Sequence, residues 1–426
     1  QRPPSFQRHV MRNRYRTVLR NATPYEVVRQ LPALAAAELL LFGYAVVRAP
    51  HLLAVYVQVC KELPRYLRAR GFSGAQRSPA CSETRLRVLQ LAQPHGGGVQ
   101  KFVLQLCAHL DRKHFALYGM CGRTNEAEAP APDRAGGESF AAGFERRGAP
   151  CETLPMRRAI SPWSDLRALV GLLRFLRREP IDVIHAHSSK AGVLGRLAGM
   201  LSGVAVCYSP HAFAFLMPGA RGWWYRALER IAARWGGAIV VESDAEHRQA
   251  LGARLRSPAG LRRIANAIAP VEPPQRGRAE LARDLGLDET ATWIPMVGRL
   301  VEQKNPGCIV EAAPWVLRDH PSSQFLIIGD GPLHSALVEQ IIRKRLDDRV
   351  RLLGYREDAL DIVAASNLFV LPSLWEGLPF ILLEAMARET PVIATDCVAD
   401  DELLGDGKHG RVVPRGDAQA LADAVV

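Results

Sequence analysis

Short apolar runs alternate along most of the chain with longer stretches of helical period. Residues 85–92, 182–188, 205–211, 237–243, 294–300, 324–328, 350–354, 367–372 and 391–395 read as short strands, and 367–372 is an apolar run rich in Val, Leu and Phe. Near-continuous apolar runs of that length are the mark of strands buried on both faces of a parallel sheet. Between them, 99–110, 163–178, 191–201, 306–317 and the stretch after Ser243 carry helical patterns. Strands alternating with helices predict an α/β protein with parallel sheets.

The sharpest unit is 366–395, SNLFVLPSLWEGLPFILLEAMARETPVIAT. It reads as strand, loop, helix, strand. Pro379 suits the first turn of the helix, and Pro391 marks its end. The loop stands at a strand's carboxyl end, where open α/β sheets bind ligands. It holds Glu376, and the helix holds Glu384, with seven residues between them. Glu376 alone could serve as a charge at a helix N-terminus. Glu384 lies between Leu383 and Ala385 in an apolar helix, and a buried acid there needs a strong donor or a hydroxyl-rich ligand. Acids for hydroxyls beside peptide N–H groups for phosphate together suit a nucleotide-sugar.

The strand at 294–300 runs into Arg299, and Lys304 follows five residues later. Before a helix they form a phosphate clamp, Arg bidentate and Lys as a point charge. His95-Gly96-Gly97-Gly98 follows the strand at 85–92, where glycines permit positive φ and close approach of a ligand. It is neither a dinucleotide fingerprint nor a P-loop. His185 and His187 alternate with apolar residues, which we read as one facing in and one out. Without a supporting acid they make no metal site. Asp330 sits in a glycine turn and is read as stabilising it, with ligand contact as the alternative. Trp223, Trp224 and Tyr225 open a helix and are read as packing, acceptor-groove or membrane residues.

The E-x7-E pair, G-R-x-x-x-x-K at 298–304, the Gly-Gly loop and the segments HSSKAG, GRLAG and PHAFAF together resemble the retaining GT-B glycosyltransferases of family 4, of the bacterial exopolysaccharide type. The resemblance spans 85–426 and implies two facing Rossmann-like, doubly wound domains. These are an acceptor domain at 85–268, a linker at 269–280 and a nucleotide-sugar domain at 281–426. It implies catalytic roles for His211, Arg299, Lys304 and Glu376. Donor-binding roles go to Gly97, Gly98, Gly377, Leu378 and Glu384, together with Arg299, Lys304 and Glu376. Glu376 would contact the donor sugar, Glu384 the ribose diol, and His211 the sugar near its reacting carbon. A core histidine is the alternative for His211. The donor would be a UDP-, GDP- or ADP-sugar and the acceptor a glycan or lipid-linked glycan, with no metal or cofactor. The chain departs from the family at Pro379, which removes a backbone donor. It departs also at 264–268, where IANAI stands for I-P-N-G-I and weakens the case for Asn266. Gly410–Pro414 resembles a closing turn. An epimerase, a phosphorylase or a non-catalytic scaffold of the same architecture are the other readings.

At 426 residues the chain can bury two cores. Its net charge is +12, but residues 1–84, with 13 Lys and Arg against 4 Asp and Glu, carry +9 of it. That distribution argues against a nucleic-acid groove and for a basic helical appendage. Arginines beside apolar stretches at 31–47 and 52–60 fit peripheral membrane contact, and no uninterrupted run is long enough to span a bilayer. This part also resembles the C-terminal tail of a family 2 glycosyltransferase, and 71–84 reads as a linker. The eight scattered cysteines form no C-x-x-C pair, so we expect a reducing cytoplasm without disulfides. A start at Gln1 and an end inside a helical pattern lead us to expect a fragment of a longer protein.

Overall fold

The computed structural model describes residues 85–93, 97–122, 139–157, 160–397, 401–404 and 407–426. The expected appendage at 1–84, His95-Gly96 and nearly all of the loop at 122–137 lie outside them. Residues 85–198 and 205–426 belong to one compact unit.

The first sheet holds seven strands: β1 (Leu86–Ala92), β2 (Phe115–Gly122), β3 (Cys151–Leu154), β4 (Val183–His187), β5 (Ala205–Ser209), β6 (Ala238–Val241) and β7 (Leu261–Arg263). All are parallel, in the order β3-β2-β1-β4-β5-β6-β7. Their connections carry helices α1 (Gly98–His109), α2 (Phe140–Arg146), α3 (Pro162–Arg178), α4 (Ser189–Ser202), α5 (Ala220–Ala233) and α6 (Asp244–Gly252). Residues β8 (Trp293–Val297), β9 (Gln324–Ile328) and β10 (Val350–Gly354) form a second parallel sheet, ordered β10-β9-β8. A third, β11-β12-β13, comprises Phe369–Leu371, Val392–Thr395 and Gly410–Val413. These two lie side by side. Asn367 N–H donates to Trp293 O at 3.1 Å, and Trp293 N–H donates to Asn367 Oδ1 at 3.0 Å. Helices α7 (Arg278–Leu285), α8 (Gly307–Asp319), α9 (His334–Arg343), α10 (Ala359–Ala364), α11 (Phe380–Ala387), α12 (Asp401–Leu404) and α13 (Ala418–Val425) complete the chain.

Both halves therefore reverse strand order once, between β1 and β4 and between β8 and β11. This is the doubly wound GT-B arrangement expected from the alternation of strands and helices. A doubly wound sheet opens its ligand crevice at the carboxyl ends of the strands flanking that reversal. Four loops matter most as a result: those after β1, β4, β8 and β11.

Several boundaries differ from the sequence reading. The strand after α4 ends at Ser209, so His211 lies beyond it in a turn with φ 51°. Phe115–Gly122 is a strand that its two glycines disguise. Gly410–Val413, read as a turn, is an edge strand paired with β12 from Val392↔Gly410 to Thr395↔Val413. Its glycine is demanded by packing, since a Cβ there would lie 2.5 Å from Val392 O.

The first half carries a buried ionic cluster. Arg196 and Glu229 are almost wholly withdrawn from water and pair at 2.7 Å. Tyr208 OH donates to the other Glu229 oxygen at 2.9 Å, and the Arg196 guanidinium lies 4.1 Å from the Tyr208 ring centroid. Gly192 makes room for that ring: a Cβ there would come within 2.1 Å of it. Removing one member of a buried pair leaves the other uncompensated. Glu229→Ala is thus expected to cost about 3–5 kcal/mol in urea unfolding, while Arg196→Met with Glu229→Leu recovers most of the loss. An unchanged urea midpoint in Glu229→Ala would contradict this account.

Candidate active site

The acids of the 366–395 unit are where their burial becomes costly. Glu376 and Glu384 are each 8% exposed, and a buried carboxylate needs donors. Lys304 Nζ lies 2.6 Å from Glu376 Oε1, which also accepts from Ser373 Oγ at 3.0 Å. Gln303 Nε2 donates to Trp375 O at 2.9 Å and reaches Glu376 Oε2 at 3.4 Å, while Leu374 N–H donates to Gln303 O at 2.8 Å. Residues 302–304 form a single 3-10 turn that closes on Asn305 in the left-handed region, φ 50°. That turn brings Lys304 from the end of β8 across to the loop after β11. The reversal point of the second sheet is thereby bridged by an ion pair. Arg299 emerges half-buried from the same strand end.

Glu384 is met from the other half of the molecule. Lys101 of α1 pairs through Nζ with Glu384 Oε1. Gly98, the first residue of α1, faces Phe380, the first of α11, with a Cβ position 3.9 Å from its ring. Phe102 approaches Phe380 with ring centroids 6.2 Å apart. Two helix N-termini therefore converge, each presenting unpaired N–H groups and the positive end of its dipole, which is favourable ground for an anion. Gly97 caps α1 at φ 72° and ψ −157°, a conformation reserved to glycine. Pro379 is the N-cap of α11 rather than its first helical residue.

A chain of histidines lines the first half. His187 Nε2 contacts Gln90 Oε1 at 2.7 Å and its Nδ1 contacts His211 Nε2 at 2.9 Å. With the amide oxygen as acceptor, His187 carries its proton on Nε2, and Nδ1 accepts from His211. His211 pairs through Nδ1 with Glu242 Oε1, a contact that favours the protonated ring. Its pKa accordingly rises above the ordinary histidine value: burial opposes the charge, but the Glu242 and Glu246 carboxylates outweigh it. His187 goes the other way, far below that value, through burial and then its histidine neighbours. Burial pushes His185 down to about 3, aided by the His211 charge.

The expectation that His185 and His187 face opposite ways is corrected here. Residues two apart on a strand share a face, and their ring centroids lie 4.0 Å apart. His185 Nε2 meets Ser209 Oγ at 3.0 Å.

Glu246 ties this chain to the loop after β11. Its two oxygens accept from Ala212 N–H and Glu242 N–H, each at 2.8 Å. Burial, then Glu242, raises its carboxyl to about 7. Ser188, His211 and Ala212 all have positive φ, 72°, 51° and 81°, and such strain persists only where the surroundings impose it. Gly377 presses onto this turn: a Cβ there would stand 3.0 Å from Ala212 N and 3.2 Å from Glu246 Oε1. Asn266 Nδ2 donates to Leu378 O at 3.1 Å.

The structure thus gathers Glu376 with Lys304, Glu384 with the α1 start at Gly97–Gly98, and His211 with Gly377. Asp330 stays in its turn, its Oδ1 accepting from Gly331 N–H at 2.7 Å. A separate cavity of about 750 Å³ opens at the opposite, amino edge of the strands, around Thr292, Asn367 and Val392. Sequence reasoning did not single out Lys101, Gln90, Glu242 or Glu246. A lysine in a helix's first turn opposes the dipole, and that was the available signal for Lys101. Ser243-Asp244-Ala245-Glu246 has the spacing of a capping box. Ser243 Oγ does cap Glu246 N–H at 3.1 Å, but the Glu246 carboxylate is used elsewhere.

Residues 97–267 match the family model described as glycosyl transferase 4-like domain, and 291–426 match that of glycosyl transferases group 1. The chain is 33% identical over 277 residues to the UDP-Gal:alpha-D-GlcNAc-diphosphoundecaprenol alpha-1,3-galactosyltransferase of Escherichia coli, covering 63% of this chain and 72% of that protein. Among solved structures, Anabaena HepE in complex with UDP-glucose superposes with a TM-score of 0.63 at 21% identity, over 80% of this chain and 88% of that one. Sucrose-phosphate synthase from Thermosynechococcus elongatus gives 0.62 at 19% identity, over 80% and 89%. At those identities the likeness is one of fold. Sequence relationship, strand order and the acids and cations gathered at the two reversal points agree: the chain belongs to the GT-B glycosyltransferases, a 4-like domain followed by a group 1 domain.

Proposed function

We propose that the protein is a retaining transferase of family 4. It moves a hexose from a UDP-sugar to a lipid-linked glycan in surface polysaccharide synthesis. The carrying observation is the bridged reversal point, where Lys304 holds Glu376 across the ends of β8 and β11. Converging helix N-termini, with Arg299 and Lys304 nearby, suit a diphosphate, and acids held by cations suit sugar hydroxyls. The Escherichia coli relative is named for a UDP-Gal donor and a diphosphoundecaprenol-linked acceptor, which favours the same classes here.

In this reading Glu384 accepts from the ribose diol, Glu376 from the donor sugar, and Gly377 and Leu378 bring the loop's backbone to the donor. Arg299 and Lys304 stabilise the departing diphosphate. The bond from the anomeric carbon to the phosphate oxygen breaks, and its electron pair leaves with the diphosphate. The acceptor hydroxyl oxygen bonds to the same face of that carbon and gives its proton to a phosphate oxygen. The His211 cation stands beside the Gly377 loop and adds positive potential where the diphosphate forms.

Calorimetric titration of UDP, GDP and ADP tests the donor class. UDP is expected to bind best, and Glu384→Gln to weaken it by about ten- to a hundredfold, since hydrogen bonds to charged groups contribute about 1.5–3 kcal/mol. Equal affinities in wild type and Glu384→Gln would remove that acid from the site. With UDP-galactose and a diphosphoundecaprenol-linked sugar, proton NMR of the product should show the donor's anomeric configuration retained. An inverted product would overturn the retaining mechanism.

The buried acid also sets a pH dependence. Glu246 titrates near 4.5 in the unfolded chain and near 7 when folded, so the folded state binds the extra proton between those values. Stability then falls as pH rises through that window. His211, also raised on folding, adds a loss in the same direction above the ordinary histidine range. Urea midpoints should drop from pH 5 to pH 7.5, and Glu246→Gln should flatten the lower part of the slope. Parallel profiles in the two proteins would refute this role for Glu246.

A further inference from the structure

Helix α5 presents an unusual face to solvent. Trp223 and Trp224 are 64% and 67% exposed, with rings packed edge-on at 5.0 Å. Ile231 is 48% exposed, and Leu228 is also exposed. Trp224, Leu228 and Ile231 recur at spacings of four and three, so they form one stripe along the helix. Exposed Arg221 and Arg234 border it. The helix's single acid, Glu229, points the other way, into the pair with Arg196 and the Tyr208 hydroxyl. Arg230 also turns inward, its Nε donating to Ala253 O at 2.6 Å. The outer face is therefore apolar and basic, without a negative charge.

We propose that α5 is an in-plane docking surface for an anionic phospholipid bilayer. Tryptophan rings favour the boundary between headgroups and acyl chains, and arginines beside an apolar stripe meet lipid phosphates. Charge complementarity selects an anionic bilayer, because every exposed charged group that α5 contributes to this face is cationic. Among the described residues no helix is long and apolar enough to cross a membrane, and α5 spans only Ala220–Ala233. Contact is therefore parallel to the surface.

The helix is also rigidly joined to the candidate active site. Gly222 sits so close to the preceding loop that a Cβ would be 2.2 Å from Met217 O. Arg226 lies 5.5 Å from the Phe215 ring centroid. That loop carries His211. Docking α5 would hold the cleft at a fixed height above the lipid surface. The proposal rests on the geometry of α5 and stands apart from the donor assignment.

The test uses the full chain and vesicles of phosphatidylcholine, with or without phosphatidylglycerol. Wild type is expected to sediment with the phosphatidylglycerol vesicles and to be released by salt. Replacing Trp224, Leu228 and Ile231 together by serine should lower the partition coefficient by about tenfold or more, with UDP binding and circular dichroism unchanged. A local readout separates α5 from any other lipid-binding part of the chain: brominated phosphatidylglycerol should quench wild-type tryptophan fluorescence. That quenching should shrink when Trp223 and Trp224 are replaced by phenylalanine, which keeps the apolar surface. The idea fails if wild type ignores both vesicle types, or if the serine variant partitions normally and the phenylalanine variant quenches as wild type does. It fails equally if sedimentation velocity without lipid shows a dimer that the serine substitutions dissolve, because the stripe then serves a second copy.

Discussion

Two carboxylates nearly withdrawn from water must be met by positive charge, and the rest of the candidate site is arranged around that requirement. Glu376 is met from within its own half, by Lys304 at the end of the neighbouring strand. Glu384 is met from the opposite half, by Lys101. The first pairing fixes the loop after β11 against the loop after β8. The second draws the starts of α1 and α11 together. Without those partners each acid would have to stay protonated or turn toward solvent. The loop after β11 and the helix that follows it are thus both held by cations.

The first half supplies a different kind of order. Gln90, His187, His211 and Glu242 form a line in which each group fixes the proton of the next. Gln90 is set on β1, His187 on β4 and Glu242 just past β6, so the sheet itself spaces them. Glu246 then grips the strained turn at Ala212, and Gly377 packs against the result with no room for a side chain. Positive φ at Ser188, His211 and Ala212 is tolerated because so many contacts determine them.

What could be read from the sequence follows the range of the interactions involved. Glu376 and Glu384 were legible because a loop and a helix of one unit carry both, and the helix's apolar pattern made the second acid conspicuous. Lys304, which the turn after β8 sets beside Glu376, was legible for the same local reason. Lys101 was not, since its partner lies 283 residues away. Nor were Gln90 and Glu242, whose roles exist only once β1, β4 and β6 lie in one sheet. His185 and His187 were assigned to opposite faces although the period of a strand places them on one. Strands with glycine at their ends or centre, Phe115–Gly122 and Gly410–Val413, escaped because their pattern resembles that of turns.

The Lys101–Glu384 pair has a consequence for motion. It joins the two halves of the cleft, and the lysine end is 40% exposed while the glutamate end is 11% exposed. Any hinge movement that parts the halves has to separate these charges, and water and counterions reach the lysine first. Electrolyte screens charges chiefly beyond a Debye length, about 8 Å at physiological ionic strength, so the attraction survives in the closed contact and fades once the halves part by more than that. Salt therefore shortens the reach over which the two charges draw the halves together, while the closed contact itself stays nearly unchanged.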